Sequence, residues 1–275
     1  MKKTILITGA GSGIGRDAAF ALAARGHRVI ATTFDEAQAL GLRAECQARG
    51  QARGQARGQA MGQTIEVFKL DIASPADREL LLPIELDVLI NNAGVGESGS
   101  LAEVDVDRIR RVFEVNVFAT IELTQLALRG MIARRRGTVL FVSSIAGRLP
   151  MPFLMPYSMS KFALSAAGAG LRAEMDQLGA GVQIALIEPG AIHTGFNQAM
   201  TASKYAWMGP DSYFHAQTTK MKASESRIFG LLEARDTRTI VARIVQASEA
   251  RRPRLRYVAP WIQGLGVRLA RIFGV

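Results

Sequence analysis

Tyr157 and Lys161 stand four residues apart, and Ser144 lies thirteen residues before the tyrosine. A spacing of four puts two side chains on one face of a helix, one turn apart. An ammonium held near a phenol stabilises the phenolate. That pairing is expected to pull the phenol below its ordinary value of about 10. A phenol tuned in this way can pass a proton to or from an alcohol oxygen. A serine hydroxyl beside it can hold the same oxygen. Ser143 is the alternative serine, and the pair alone is also what an exposed tyrosine beside a solvated lysine would look like.

Chemistry of this kind needs a second reactant, and the start of the chain is built to hold one. Thr4 to Thr8 is short, apolar and β-branched, as a buried parallel strand requires. It runs into Gly9-Ala10-Gly11-Ser12-Gly13-Ile14-Gly15, and then into an alanine-rich amphipathic stretch from Arg16 to Arg25. The order is strand, glycine turn, helix, with a further strand at Arg28 to Thr33 closing the unit. Glycines allow the backbone close to a diphosphate, and the helix N-terminus presents free N–H groups to that anion. The two lysines before the first apolar run do not make a secretory signal, because Thr8-Gly9 ends that run too soon.

These residues and several others resemble the short-chain dehydrogenase/reductase family in its ordinary single-domain form. Thr8 to Gly15 is similar to the family's cofactor turn. Asp71, followed by Ile72, ends the third strand, where the family contacts adenine. Asn91-Asn92-Ala93-Gly94, Asn116, Pro189-Gly190 and Thr194 match further motifs in order along the chain. The resemblance implies cofactor contacts at Gly9, Gly11, Ser12, Gly13, Ile14, Gly15, Thr33, Asp71, Ile72, Asn92, Ala93, Gly94, Tyr157, Lys161, Pro189, Gly190 and Thr194. It implies that Tyr157 is the acid/base and that Lys161 lowers its pKa and binds the nicotinamide ribose. Ser144 would orient the substrate, and Asn116 would hold a water behind Lys161. It also implies a cytoplasmic homo-oligomer. A looser likeness joins the C-terminal third to bacterial members that resemble 17β-hydroxysteroid and retinol dehydrogenases.

The expected activity is hydride transfer between NAD(P) and a hydrophobic alcohol or ketone. The cofactor choice turns on the end of the second strand. Seven residues past Gly26, where an acid would accept from the ribose hydroxyls, stands Thr33. The missing acid favours NADP over NAD. The absence of a basic residue at Phe34 or Ser12 weakens that preference, and Asp35 and Glu36 follow slightly late. An epimerase or dehydratase on the same fold, or a non-catalytic nucleotide- or RNA-binding protein, are the rival classes.

Strands alternating with helices along 275 residues predict one α/β domain, 1–275. The expected architecture is a Rossmann-like, doubly wound parallel sheet with helices on both faces. The tandem Gln-Ala-Arg-Gly units near 47–62 carry a glycine every fourth residue and are expected to form a mobile loop. Thr194 to Leu232 is the expected substrate lid, with Phe196, Met200, Tyr205, Trp207, Met208, Tyr213, Phe214, Met221 and Phe229 as apolar surface. Met151, Phe153, Leu154 and Met155 add to that wall.

Composition bounds the rest. One cysteine, Cys46, excludes an intrachain disulfide. The three histidines show no metal-ligand spacing, so no metal is expected. The net charge of +10 comes largely from the repeat and from arginines near the C-terminus. No nucleic-acid motif accompanies it, and nucleic acid is not an expected partner. Trp261 to Val275 is expected to pack on the body or a neighbouring subunit rather than on a membrane.

Overall fold

The computed structural model describes residues 1–57 and 65–273. In chain order the elements are β1 (Thr4–Ile7), α1 (Gly13–Ala24), β2 (Arg28–Thr33), α2 (Glu36–Arg57), β3 (Ile65–Lys69), α3 (Pro75–Glu79) and β4 (Val88–Asn91). Next come α4 (Val106–Phe113), α5 (Thr120–Ala133), β5 (Gly137–Val142), α6 (Met155–Gln177) and β6 (Val182–Pro189). The last are α7 (Phe196–Trp207), α8 (Thr218–Leu232), α9 (Arg238–Glu249), β7 (Arg256–Ala259) and α10 (Trp261–Ile272).

The strands form one parallel sheet in the order β3-β2-β1-β4-β5-β6-β7. The period-two alternation of each central strand splits its apolar residues between two cores. Ile5, Ile7, Val88, Ile90, Leu140 and Val142 face one core with α1 and α9, through Leu22, Ile240 and Ile244. Leu6, Leu89, Val139 and Phe141 face the other with α5 and α6, through Leu123, Met131 and Leu164. Near-continuous apolar strands follow from burial on both faces. The strand order reverses between β1 and β4, and the crevice beyond the carboxyl ends of the strands opens there.

Two local readings are corrected. The repeat does not leave the helix at Gln47: α2 continues through Arg57. Alanine, glutamine and arginine are strong helix formers, and three of them in every four residues offset the glycine penalty of about 1 kcal/mol. The remainder of the repeat, 58–62, lies outside the described residues. The long helix after Val104 is also not uniform. Glu114–Ala119 between α4 and α5 is a π-helical turn, and it contains Asn116. Such turns displace one residue from the regular spiral.

The C-terminal helix α10 buries Gly264 and Val267, as a helix packed on the body should. Its other side leaves Trp261, Ile262, Leu265, Leu269 and Ile272 exposed. Among the described residues no helix is long and apolar enough to cross a membrane.

Candidate active site

A cleft of about 920 Å³ opens along the carboxyl ends of the strands. The glycine turn after β1 forms one end of it. Gly9 has φ +64 and Gly13 φ +54, both in the left-handed region. A Cβ on Gly15 would lie 2.4 Å from Asn92 Nδ2 and 2.5 Å from the Gly9 carbonyl, so a side chain there has no room. The segment after β4 braces the turn. Asn92 Nδ2 donates to the carbonyls of Thr8 and Gly9 at 2.9 and 3.0 Å. The N–H groups of Asn92 and Ala93 donate to Thr8 Oγ1 at 3.1 and 3.0 Å.

Helix α1 then starts with no side-chain cap, since the Ser12 hydroxyl accepts nothing, and no acid stands in its first turn. Its leading N–H groups therefore lie uncapped at the cleft wall, an arrangement that suits a diphosphate. Asp71 and Ile72 line the cleft beyond β3. The Asp71 carboxylate accepts from Ala73 N at 2.9 Å. Thr194, from the loop after β6, sits over the turn, 3.2 Å from where a Gly13 Cβ would be. These residues fit a dinucleotide.

Thr33 is an exception. Its side chain is fully buried and donates to the Asp35 carbonyl at 2.9 Å, so it does not line the cleft. Phe34, exposed, and Gln38 line it there instead. The Asp35 carboxylate is taken by Gln38, accepting from its N at 2.8 Å and its Nε2 at 3.1 Å.

The other end of the cleft holds the titrating groups. Pro156 in the first turn suits the start of α6, and the helix brings Tyr157 and Lys161 to one face. Ser144 caps a short 3₁₀ turn after β5, its Oγ accepting from Ala146 N at 3.1 Å and donating to the Pro189 carbonyl at 3.4 Å, and it lines the cleft beside Tyr157. Ser143 is spent elsewhere, donating to the Lys161 carbonyl at 3.1 Å and pairing with Ser165 at 2.7 Å. Lys161, 5% exposed, donates from Nζ to the Val142 carbonyl at 2.9 Å and lies 5.6 Å from the Tyr157 ring centroid.

The electrostatics differ from the sequence expectation. Burial pushes the Tyr157 phenol up to about 12, and the neighbouring Ser144 hydroxyl only partly opposes that. The same burial lowers Lys161 from 10.5 to about 8. A phenolate and an ammonium are both costly in a site this dry, and desolvation outweighs the attraction between them.

Asn116 is 1% exposed and does not line the cleft. The π turn aims it at the backbone of Val95, where Oδ1 accepts at 2.8 Å and Nδ2 donates at 2.9 Å. Nδ2 also donates to Ser160 Oγ at 3.0 Å, and Ser160 donates to the Tyr157 carbonyl at 2.7 Å. Asn116 thus ties the segment after β4 to the first turn of α6.

The lid is mixed. Phe196, Met200 and Phe229 line the cleft, and the Phe196 ring lies 5.6 Å from that of Tyr157. Met208 is buried, Trp207 packs over Gly99, and Phe214 meets Phe153 edge-on at 5.0 Å. Tyr213 is exposed. Phe153, in the wall before Tyr157, holds a left-handed φ of +61, a strained conformation for a bulky residue. His193 faces Glu233 at 3.0 Å on the outer side of the lid base.

Several cleft residues escaped the sequence reading, Gln263, Lys204 and Glu225 among them. Gln263 of α10 accepts from Ala191 N at 2.8 Å and donates to the Leu232 carbonyl at 2.7 Å, clamping the Pro-Gly loop to the end of α8. Lys204 and Glu225 form an ion pair inside the lid. None of the three sits in a local pattern, so no sequence signal marks them.

A family model described as short chain dehydrogenase matches residues 3–204. The chain belongs to the short-chain dehydrogenase/reductase family. It is 36% identical over 208 residues to dehydrogenase/reductase SDR family member 7B of Bos taurus, a match covering 74% of this chain and 63% of that protein. It is 32% identical to estradiol 17-beta-dehydrogenase 1 of Rattus norvegicus, covering 92% of this chain and 72% of that one. With retinol dehydrogenase 8 of Homo sapiens it shares 31% over 92% of this chain and 80% of that one. Two solved structures share the fold. One, from Burkholderia phymatum in complex with NAD, has a TM-score of 0.78 at 22% identity and covers 98% of this chain and 93% of its own. The other, from Sphingobium yanoikuyae in complex with NADPH, has a TM-score of 0.68 at 21% identity and covers 99% and 96%.

Proposed function

We propose that the protein is an NAD(P)-dependent oxidoreductase that interconverts a hydrophobic ketone and its secondary alcohol. The observation that carries this reading is that Ser144, Tyr157 and Lys161 line one cleft together with the glycine turn after β1, with Lys161 Nζ 5.6 Å from the Tyr157 ring centroid. Relatives named for estradiol and retinol fit a hydrophobic substrate.

A nicotinamide dinucleotide held by the glycine turn, Asp71, Asn92 and Thr194 would supply the hydride that reduces the carbonyl carbon. Ser144 holds the carbonyl oxygen, and Tyr157 gives that oxygen its phenolic proton as the alcohol forms. With its pKa at about 12, Tyr157 carries this proton at neutral pH, as a general acid must. Lys161, an ammonium below about pH 8, donates to the ribose and returns positive charge to the phenol as it ionises. Phe196, Met200 and Met151 keep water from the reacting carbon. Oxidation of an alcohol is the same sequence reversed. The reading is tested with a panel of apolar ketones and alcohols, read at the nicotinamide absorbance with each cofactor. Absence of turnover across the panel with both cofactors would remove it.

NADP is the preferred cofactor in this proposal. No carboxylate lines the cleft at the end of β2, where one would repel a 2′-phosphate. Phe34 rather than buried Thr33 is the residue placed to test it. Phe34→Arg adds a guanidinium beside the 2′-phosphate, and a charge-assisted hydrogen bond of about 1.5 kcal/mol is worth about tenfold. The ratio of kcat/KM for NADP over NAD is expected to rise by about that factor. An unchanged ratio would mean that the phosphate lies elsewhere.

A further inference from the structure

Glu188 stands on β6 immediately before Pro189, and its carboxylate is fully buried. The alternation of β6 puts it on the same face as Leu186, toward α5 and α6. Each carboxylate oxygen has an arginine from a different element. Oε1 accepts from Arg256 Nη1 of β7. Oε2 accepts from Arg148 Nη1 at 3.4 Å, and Arg148 ends the 3₁₀ turn that Ser144 opens. A buried carboxylate with its charge unbalanced is costly, and one arginine already balances this one. The side chain of the second, Arg148, is 12% exposed, and among the described residues its buried Nε has no partner. Arg148 therefore meets a cost that neutralising Glu188 does not require.

The place of Arg148 in the chain is also informative. Sheet bonding after β5 ends at Ser143, whose N–H donates to the Ile187 carbonyl at 2.8 Å. Beyond it the turn is closed by its own bonds, Gly147 N to the Ser144 carbonyl and Arg148 N to the Ile145 carbonyl, both at 3.0 Å. These fix its shape and not its place. One flank rests on α6, since a Cβ on Gly147 would lie 2.5 Å from the Lys161 carbonyl oxygen. Toward β6 the turn reaches with two side chains, Ser144 Oγ to the Pro189 carbonyl at 3.4 Å and Arg148 to Glu188. The first is a long bond, made by the hydroxyl that is proposed to hold the substrate oxygen. When that hydroxyl turns to substrate, the arginine is the tie that remains.

We infer that Arg148, anchored on Glu188, is a positioning residue, which sets the Ser144 turn against β6 and so holds Ser144 Oγ where the substrate oxygen binds. This deepens the proposed reaction and rests on it. Arg256 reaches the other oxygen of the same carboxylate from β7, away from the turn, and has no such role. Reacting groups tolerate little error, since a displacement of about 1 Å can cost about 10²-fold in rate.

The test sets Arg148→Met against Arg256→Met, each of which takes one arginine from the same carboxylate. Both should lower the melting temperature. Arg148→Met alone should lower kcat, by about 10–10²-fold, with cofactor affinity by fluorescence titration within about twofold of wild type. Arg256→Met should keep kcat within about twofold, and Arg148→Lys should recover part of the loss. In a Ser144→Ala background Arg148→Met should change kcat by less than about twofold, because the hydroxyl it positions is gone. That cycle decides the matter even if Arg256→Met fails to fold. Hydrogen exchange at the Ala146 and Gly147 amides needs no substrate. It should quicken by about tenfold in Arg148→Met and stay near wild type in Arg256→Met. Equal effects of the two arginine variants, losses that multiply with Ser144→Ala, or exchange unchanged by Arg148→Met would overturn the inference. Selective exchange without wild-type turnover on the ketone and alcohol panel would leave the positioning role standing and remove the hydride-transfer reading instead.

Discussion

Tyr157→Phe is expected to lower kcat by about 10²–10⁴-fold while the cofactor still binds with nearly unchanged affinity. The substitution removes one oxygen and keeps the ring that Phe196 packs against at 5.6 Å. In the proposed reaction it deletes the proton that the nascent alcohol oxygen needs, and Ser144 is not expected to supply it. The Ser144 hydroxyl, whose ordinary pKa is far higher, also serves the Pro189 carbonyl at 3.4 Å. Single-turnover measurement of nicotinamide absorbance with saturating substrate gives the chemical step, and cofactor fluorescence titration gives affinity. Activity within about threefold of wild type would reject Tyr157 as the acid. A matching loss of cofactor affinity would show that the phenol serves binding instead.

Lys161→Met should be nearly as damaging, and in two quantities at once. The ammonium is proposed both to hold the ribose and to stabilise the ionising phenol, so kcat should fall by about 10²-fold and cofactor affinity by about tenfold. The pH dependence separates the two roles. Lys161 loses its charge near pH 8, so wild-type cofactor affinity should decline above that pH, whereas the methionine variant should be flat there. Stability moves the other way. The folded pKa of about 8 lies below the ordinary 10.5. The group's stabilising contribution is therefore fully present above about pH 10.5 and lost as pH falls through about 8. At pH 7 the native state carries the whole cost of burying the charge, and Lys161→Met should melt no lower than wild type. A lower melting temperature at pH 7 would contradict burial as the cause of the shift.

Much of this site is legible in sequence because its parts are local. The glycine turn, the Asn-Asn-Ala-Gly brace and the Tyr157–Lys161 pair each depend on spacing within one loop or one helix. Ser144 and Pro189-Gly190 follow apolar strands, and parallel sheets place such residues at one edge. What escaped depends on distance in three dimensions. Thr33 holds its expected place in the chain, but its hydroxyl turns inward to the Asp35 carbonyl. The raised pKa of Tyr157 reverses the sequence expectation because spacing reports proximity and not desolvation. The helical start of the repeat shows favourable residues outvoting a glycine period. Lys204 and Glu225 meet across 21 positions, on two helices whose contact no periodicity announces.

The bracing of the glycine turn by Asn92 and Ala93 has a temporal consequence. During synthesis β1 and β2 emerge early and can pair, but the other edge of β1 belongs to β4, with Ile5 opposite Val88. Until that later segment arrives, Ile5 to Ile7 offers an unpaired apolar edge, the kind of surface that invites pairing between chains. Parallel pairings between such distant segments are also slow to close. The turn that would grip a nucleotide lacks its inner support over the same interval, so a cofactor cannot rescue the half-made chain. Vulnerability to aggregation is therefore concentrated in the stretch of synthesis between β2 and residue 94.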